Sequence, residues 1–303
     1  MLFRIHILGC GSATPTLRHA PTSQVVEHET GTFLIDCGEG TQVQLRKNKL
    51  GFQHLQNVFI SHLHGDHCLG LIPMLSSFSL LGRIKPLHLF APAEYEQLFH
   101  AEMACYCPYS DYEIAFHGID TTKEAILFEN SCLEVSTIPM DHRVPCCGFL
   151  FREKPLIPHI RRDMIDALHI PVSQIMNIKK GADWTDAEGN HYTHEQLTKP
   201  AHPPRAYAFC SDTRYMPTLH TIIKDVDLLY HEATYAEDNL TNAEKYFHST
   251  ARQAAHVAKD AGVGKLLIGH FSARYPNEKI LLNEAQEVFA NTLLANEGMI
   301  VDV

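Results

Sequence analysis

Hydrophobic and polar residues alternate along residues 2–9, with Phe3, Ile5 and Ile7 on one face, which predicts a first strand. Ser23–Glu29 and Thr32–Asp36 read as a hairpin across the Glu29-Thr30-Gly31 turn. A helix is expected from about Gln42, with Thr41 as its N-cap. Val58-Phe59-Ile60 is a short apolar run of strand type. Helices are predicted over 69–81 and 93–106, a strand over 86–91, and short strands from about 113 to 151. The rhythm then breaks at Pro155, Pro158, Pro171 and Pro200, so 152–182 reads as a projecting insertion rather than core. Strand–helix alternation returns from 206. The pattern predicts strands at 206–210, 227–230, 265–268 and 299–303, and helices at 218–225, up to about Ala261 with Ser249 as N-cap, and 277–294.

One stretch concentrates chemistry. Residues 61–67, Ser-His-Leu-His-Gly-Asp-His, follow the Val58–Ile60 run directly. If that run is a strand, His62 and His64 project to one side, because side chains alternate at period two. Gly65 lets the chain turn, and Asp66 and His67 then point elsewhere. Two imidazoles can face one ion and a carboxylate–imidazole pair a second. Such ligands suit zinc, and a pair of metals is the usual clamp for phosphoester hydrolysis. Acid and imidazole groups recur after later predicted strands, at His142, Asp212, His231 and His270. Loops converge at strand ends in sheet-based folds.

Composition narrows the class. A 45% apolar and 20% charged chain of 303 residues is globular, with a full-sized core. No stretch approaches the roughly 20 apolar residues that a bilayer crossing needs, so no membrane role is expected. The start carries Arg4 inside its apolar run and reads as a strand rather than a signal peptide. Nine scattered cysteines, an odd count, argue for a reducing cytoplasm over a disulfide framework. A formal charge of −10 argues against nucleic-acid binding by bulk electrostatics. It leaves room for a local basic patch, and one exists. Arg152, Lys154, Arg161, Arg162, Lys179 and Lys180 outnumber Glu153, Asp163 and Asp166 between 151 and 180.

The 62–67 stretch resembles the HxHxDH signature of the metallo-β-lactamase superfamily. Five further segments narrow the resemblance to the ribonuclease Z family. These are Asp36-Cys37-Gly38-Glu39-Gly40-Thr41, Ser211-Asp212-Thr213, His231-Glu232-Ala233-Thr234, His248-Ser249-Thr250 and His270-Phe271-Ser272-Ala273-Arg274-Tyr275. The resemblance covers nearly the whole chain. It implies a single domain over 1–303 of four-layer αβ/βα sandwich type, with the arm inserted at about 152–182. It also implies a zinc-dependent endoribonuclease that removes the 3′ trailer from precursor tRNA, works as a homodimer and resides in the cytoplasm.

Two Zn²⁺ ions per chain, or Mn²⁺ or another divalent metal, follow from the same resemblance. His62, His64 and His142 would hold one ion; Asp66, His67 and His270 the other; and Asp212 would bridge them. Asp66 would accept a proton, with His248 and Glu232 assisting transfer at the leaving oxygen, and Asp36 would stand behind a metal-bound histidine. Arg161, Arg162, Lys179, Lys180 and Arg274 are candidates for substrate contact. The arm departs from the family pattern. Val172-Ser173-Gln174-Ile175-Met176 stands where a Gly-Pro-rich run is expected. A small-molecule phosphodiesterase or arylsulfatase-like hydrolase of the same fold is the alternative. A basic arm favours the larger substrate. A non-catalytic RNA-binding subunit is disfavoured, since such scaffolds lose ligands and all seven positions here are filled.

Overall fold

The computed structural model describes residues 2–303. The chain divides into two compact units. The larger comprises residues up to Glu129, Leu133–Arg152 and Ala206–Val303; the smaller comprises Asn130–Cys132 and Glu153–Arg205.

Two seven-stranded mixed sheets build the larger unit. In the first, spatial order runs Ile300–Asp302, Phe3–Gly9, Ser23–His28, Gly31–Ile35, Leu55–Phe59, Leu87–Pro92 and Ile114–Ile119. Its last four strands are parallel. In the second, the order is Thr292–Leu294, Lys265–Gly269, Leu228–Glu232, Ala206–Cys210, Cys147–Glu153, Leu133–Pro139 and Ile126–Glu129. Its first four strands are parallel.

Parallel strands covered on both faces are apolar at odd and even positions alike, and the period of two then sorts residues into separate layers. Phe33, Ile35, Phe59 and Phe90 join Phe149, Phe151 and Phe209 of the second sheet in one core. Phe59 lies 4.7 Å from Phe90 and 5.4 Å from Phe149, centroid to centroid. Leu34, Val58 and Leu89, one residue away in each strand, instead meet Leu45, Met74 and Phe78 of the helices outside the first sheet. On the far side, Ala254, Ala255 and Ala258 of helix Ala251–Ala261 bring that helix close to the second sheet. Helix, sheet, sheet and helix make the four-layer arrangement. Each fully buried Phe of the middle layer contributes about 1.5–3 kcal/mol.

Most predicted strands form where expected, and four local readings change. Thr41 is the first helical residue rather than the cap, and its hydroxyl donates to the Gly38 carbonyl at 2.8 Å. Thr250, not Ser249, caps the helix beginning at Ala251, through a reciprocal capping box with Gln253. The helix expected over 277–294 spans only Lys279–Val288, and Thr292–Leu294 becomes an edge strand beside Leu266–Ile268. Pairing with an open sheet edge outweighs helical propensity there.

The smaller unit outruns the expected 152–182 insertion. Thr198–Lys199 returns to pair with His159–Ile160, and Arg205 forks onto Glu153 at 2.7 and 3.0 Å, so the unit closes at Arg205. Ile170, Ile178 and Leu197 form a small core between helices Arg162–Leu168 and Val172–Lys179.

Candidate active site

The parallel strands end on one edge, and the chemistry follows those ends. Asp36 succeeds Gly31–Ile35, His62 succeeds Leu55–Phe59, Asp212 succeeds Ala206–Cys210 and His270 succeeds Lys265–Gly269. Asp36, Asp212 and His270 share positive φ of 55°, 54° and 58°. That conformation is costly for residues with a Cβ and concentrates at functional sites. Here it turns each side chain off its strand end. Gly65 opens the short helix Gly65–Cys68, which redirects Asp66 and His67. Further along, Gly70 lies so near the Gly38 carbonyl that a Cβ would stand 2.0 Å from its oxygen, so only glycine fits that crossing.

The seven sequence-predicted ligand residues converge. His62 Nε2 and His142 Nε2 lie 3.1 and 3.2 Å from His64 Nδ1. His67 Nε2 and His270 Nε2 are 3.3 Å apart, each 3.5 Å from Asp66 Oδ2. Asp212 stands between the groups. Its Oδ1 is 3.1 Å from both His67 and His270, and its Oδ2 is 3.7 Å from both His62 and His142.

Four of the five converging imidazoles are oriented from behind. Asp36 Oδ2 holds His67 Nδ1 at 2.6 Å, while its Oδ1 accepts from the Ser61 amide. Ser61 Oγ reaches His62 Nδ1 at 3.0 Å, Thr234 Oγ1 reaches His270 Nδ1 at 2.9 Å, and the Phe247 carbonyl accepts from His142 Nδ1 at 3.0 Å. These partners select which nitrogen faces inward, as partners of ligating histidines do.

The donor set fits divalent cations. Burial keeps His62, His64 and His142 below the ordinary imidazole pKa, so all three present lone pairs. Burial also opposes charge on His67, yet Asp212, Asp66 and Asp36 raise its pKa well above 6.5. Three carboxylates there demand positive charge. Asp66 is held below the usual carboxylate range because His67 and His270 outweigh its burial.

A second pair adjoins this cluster. Glu232, fully buried, accepts from His248 Nδ1 at 2.9 Å. Burial disfavours the imidazolium, but Glu232 beside it prevails and raises the His248 pKa to about 9. His248 opens on a cleft of about 580 Å³ that also exposes Asp66, Arg143, Tyr246 and Arg274. Arg274 sits 4.7 Å over the Tyr235 ring and Arg143 5.7 Å over Tyr246. A cationic and aromatic rim suits phosphates and bases.

Arg161, Arg162, Lys179 and Lys180 belong to the smaller unit, where Arg161 pairs with Asp163 at 2.8 Å. Val172–Met176, where the resemblance led to an expectation of glycine and proline, lies in the helix Val172–Lys179 entered from Pro171. Sequence reasoning missed the Ala13 amide, which donates to Asp66 Oδ2 at 2.6 Å. A backbone donor leaves no residue-type signal. It also missed Ser61, Arg143 and Tyr246, whose loops meet only in the fold.

Two such sheets with a His/Asp cluster at their strand ends define the metallo-β-lactamase fold. The metallo-β-lactamase fold protein YhfI of Bacillus subtilis superposes with TM-score 0.70 at 17% identity, covering 99% of each chain. Human tRNase Z, short form, superposes with TM-score 0.72 at 22% identity, again over 99% of each. Residues 3–158 match the family model described as Anti-Pycsar protein Apyc1, a span that includes the 62–67 motif but stops short of Asp212, Glu232, His248 and His270. A curated ribonuclease Z of Bacteroides fragilis is 50% identical over 301 residues, 99% of both chains. The chain belongs to the ribonuclease Z family.

Asp36→Asn tests the support behind His67. Loss of the carboxylate should weaken divalent-metal binding about 10- to 100-fold, as measured by competition with a chromophoric chelator. Unchanged affinity would show that Asp36 serves the loop alone.

Proposed function

We propose that this chain removes the 3′ trailer from precursor tRNA, leaving a 3′-hydroxyl on the tRNA and a 5′-phosphate on the trailer. The observation that carries the reading is full-length 50% identity to a curated ribonuclease Z, joined to a site where the seven candidate donors converge. His62, His64 and His142 would hold one cation, Asp66, His67 and His270 the other, and Asp212 would face both. Zinc suits this all-nitrogen-and-oxygen set. Cations bound there supply Lewis-acid chemistry, lowering the pKa of a water and offsetting phosphodiester charge.

The chain's own groups move the protons. Asp66, with the Ala13 amide fixing its Oδ2, takes a proton from the attacking water. The P–O3′ bond breaks as the new P–O bond forms. His248 then gives its proton to the leaving 3′-oxygen, and Glu232 keeps the ring protonated and oriented through Nδ1. Arg143, Arg274 and the two tyrosines line the path of the flanking nucleotides.

Purified protein incubated with a precursor tRNA bearing a 3′ trailer should give the two ends stated above. Asp66→Ala should abolish most hydrolysis of this RNA and of a small phosphodiester alike. His248→Ala should harm the RNA far more than an ester with a good leaving group, because only the poor leaving group needs protonation. Equal losses on both would remove His248 from that role.

The smaller unit is read as a tRNA-gripping arm that works by charge. Replacing Arg162, Lys179 and Lys180 by alanine should raise KM for precursor tRNA severalfold and flatten its salt dependence, as fewer counterions are released. Small-phosphodiester hydrolysis should be untouched; unchanged tRNA kinetics would instead favour a small-molecule hydrolase. Family membership further supports a cytoplasmic homodimer. Among the described residues no helix is long and apolar enough to cross a membrane. Sedimentation at micromolar protein should give twice the 34.2 kDa chain mass, and a species at the chain mass alone would refute the dimer.

A further inference from the structure

We propose that Cys10, His19 and Glu297 form a third cation site, for a borderline-soft divalent ion of the zinc class, which ties the first loop to the C-terminal segment. The three residues lie outside the Asp212-centred cluster. Cys10 Sγ is 3.3 Å from His19 Nδ1 and 3.6 Å from Glu297 Oε1, and His19 Nδ1 is 3.0 Å from Glu297 Oε2. Zinc bonds of about 2.0–2.3 Å set tetrahedral S, N and O donors roughly 3.3–3.6 Å apart; the Sγ–Nδ1 and Sγ–Oε1 separations fall in that range, and Nδ1 stands closer to the other carboxylate oxygen, Oε2.

Proton counting favours an ion over hydrogen bonds alone. The Cys10 thiol has one proton and three acceptors in reach: His19 Nδ1, Glu297 Oε1 and the Ala295 carbonyl at 3.5 Å. His19 Nδ1 likewise serves both Cys10 and Glu297 with one valence. A cation would use the thiolate, Nδ1 and one carboxylate oxygen together, while the Ala20 amide donates to Glu297 Oε1 at 2.9 Å. Cys10 is fully buried, and His19 nearly so, which is where unmet polar demand costs most.

The surroundings are those of a ligating histidine. Glu278 Oε1 stands 3.2 Å from His19 Nε2, on the ring edge away from Cys10, and Arg18 holds Glu278 in turn. A carboxylate this close to the ring raises its basicity, although the contact at Nε2 lacks hydrogen-bond geometry. Charge closes as well. Binding releases the thiol proton, so one thiolate and two carboxylates meet a dication and one guanidinium. A cleft of about 540 Å³ lined by Arg18, His19 and Glu297 offers an entry path and room for a water at the fourth position. The loop so tied carries Ala13, whose amide holds Asp66.

The rival is a closed ion-pair network, with His19 as an imidazolium between Glu278 and Glu297. Cobalt(II) separates the two. Protein stripped with chelator and reloaded with Co²⁺ should show a near-ultraviolet thiolate-to-cobalt charge-transfer band, which histidine and carboxylate ligands do not give. Cys10→Ser should abolish the band while the visible cobalt bands of the Asp212-centred site persist. Glu278→Gln should retain the band but weaken its cobalt dependence about 10- to 100-fold. Absence of the band in the unaltered protein would overturn the site and leave the ion-pair network. A band that survives Cys10→Ser would overturn it too, moving the thiolate to another cysteine. Cobalt affinity unmoved in Glu278→Gln would also count against it.

Discussion

The Asp212 carboxylate is nearly wholly removed from water and faces imidazole nitrogens from four histidines. An ionised carboxylate in such a place is expensive unless compensated. Its surroundings compensate it, since His270, His67 and His62 together outweigh burial and keep its pKa well below 3.8. Everything around Asp212 can be read as the means of bringing positive charge to both of its oxygens at once. No single loop could do so, because the four histidines come from three separate segments: the 61–67 stretch, His142 and His270.

Two sheets solve that problem. Each contributes parallel strands whose ends open on the same edge, and the aromatic layer between them holds those edges in register. Left-handed backbone at Asp36, Asp212 and His270 then spends some of that packing energy on aim. His62, His67, His142 and His270 are held twice, inward by the cluster and outward by Ser61, Asp36, a backbone carbonyl and Thr234 respectively. Rigidity here has a chemical purpose, since ligand geometry loose by an ångström loses much of its effect.

Proton handling uses the opposite electrostatic setting a short distance away. His62, His64 and His142 are kept neutral by burial, whereas His248 is kept charged by one buried carboxylate. Environment alone separates donors of lone pairs from a donor of protons. The Glu232 carboxylate that charges His248 also accepts from the Thr213 and Ser249 amides and from Thr234 Oγ1. Its position is therefore determined by the strand end on which Asp212 also sits.

Residue type and spacing alone revealed the strands and the converging donors, whereas the His248–Glu232 pair came through the resemblance to the ribonuclease Z family. Buried strands must be apolar, ligands must be imidazole or carboxylate, and both needs are written in local sequence. The helix over 279–288 lost its expected tail because an open sheet edge, invisible in one dimension, claimed Thr292–Leu294. The insertion ran to Arg205 because its closing contacts join residues about forty to fifty positions apart. The Ala13 amide on Asp66, and Cys10 meeting His19 and Glu297, arise in the same way. Such contacts depend on where the backbone passes, and a backbone group carries no signature in its side chain. Composition and pattern determined which chemistry this chain could hold; tertiary packing decided which groups stand within bonding distance of one another.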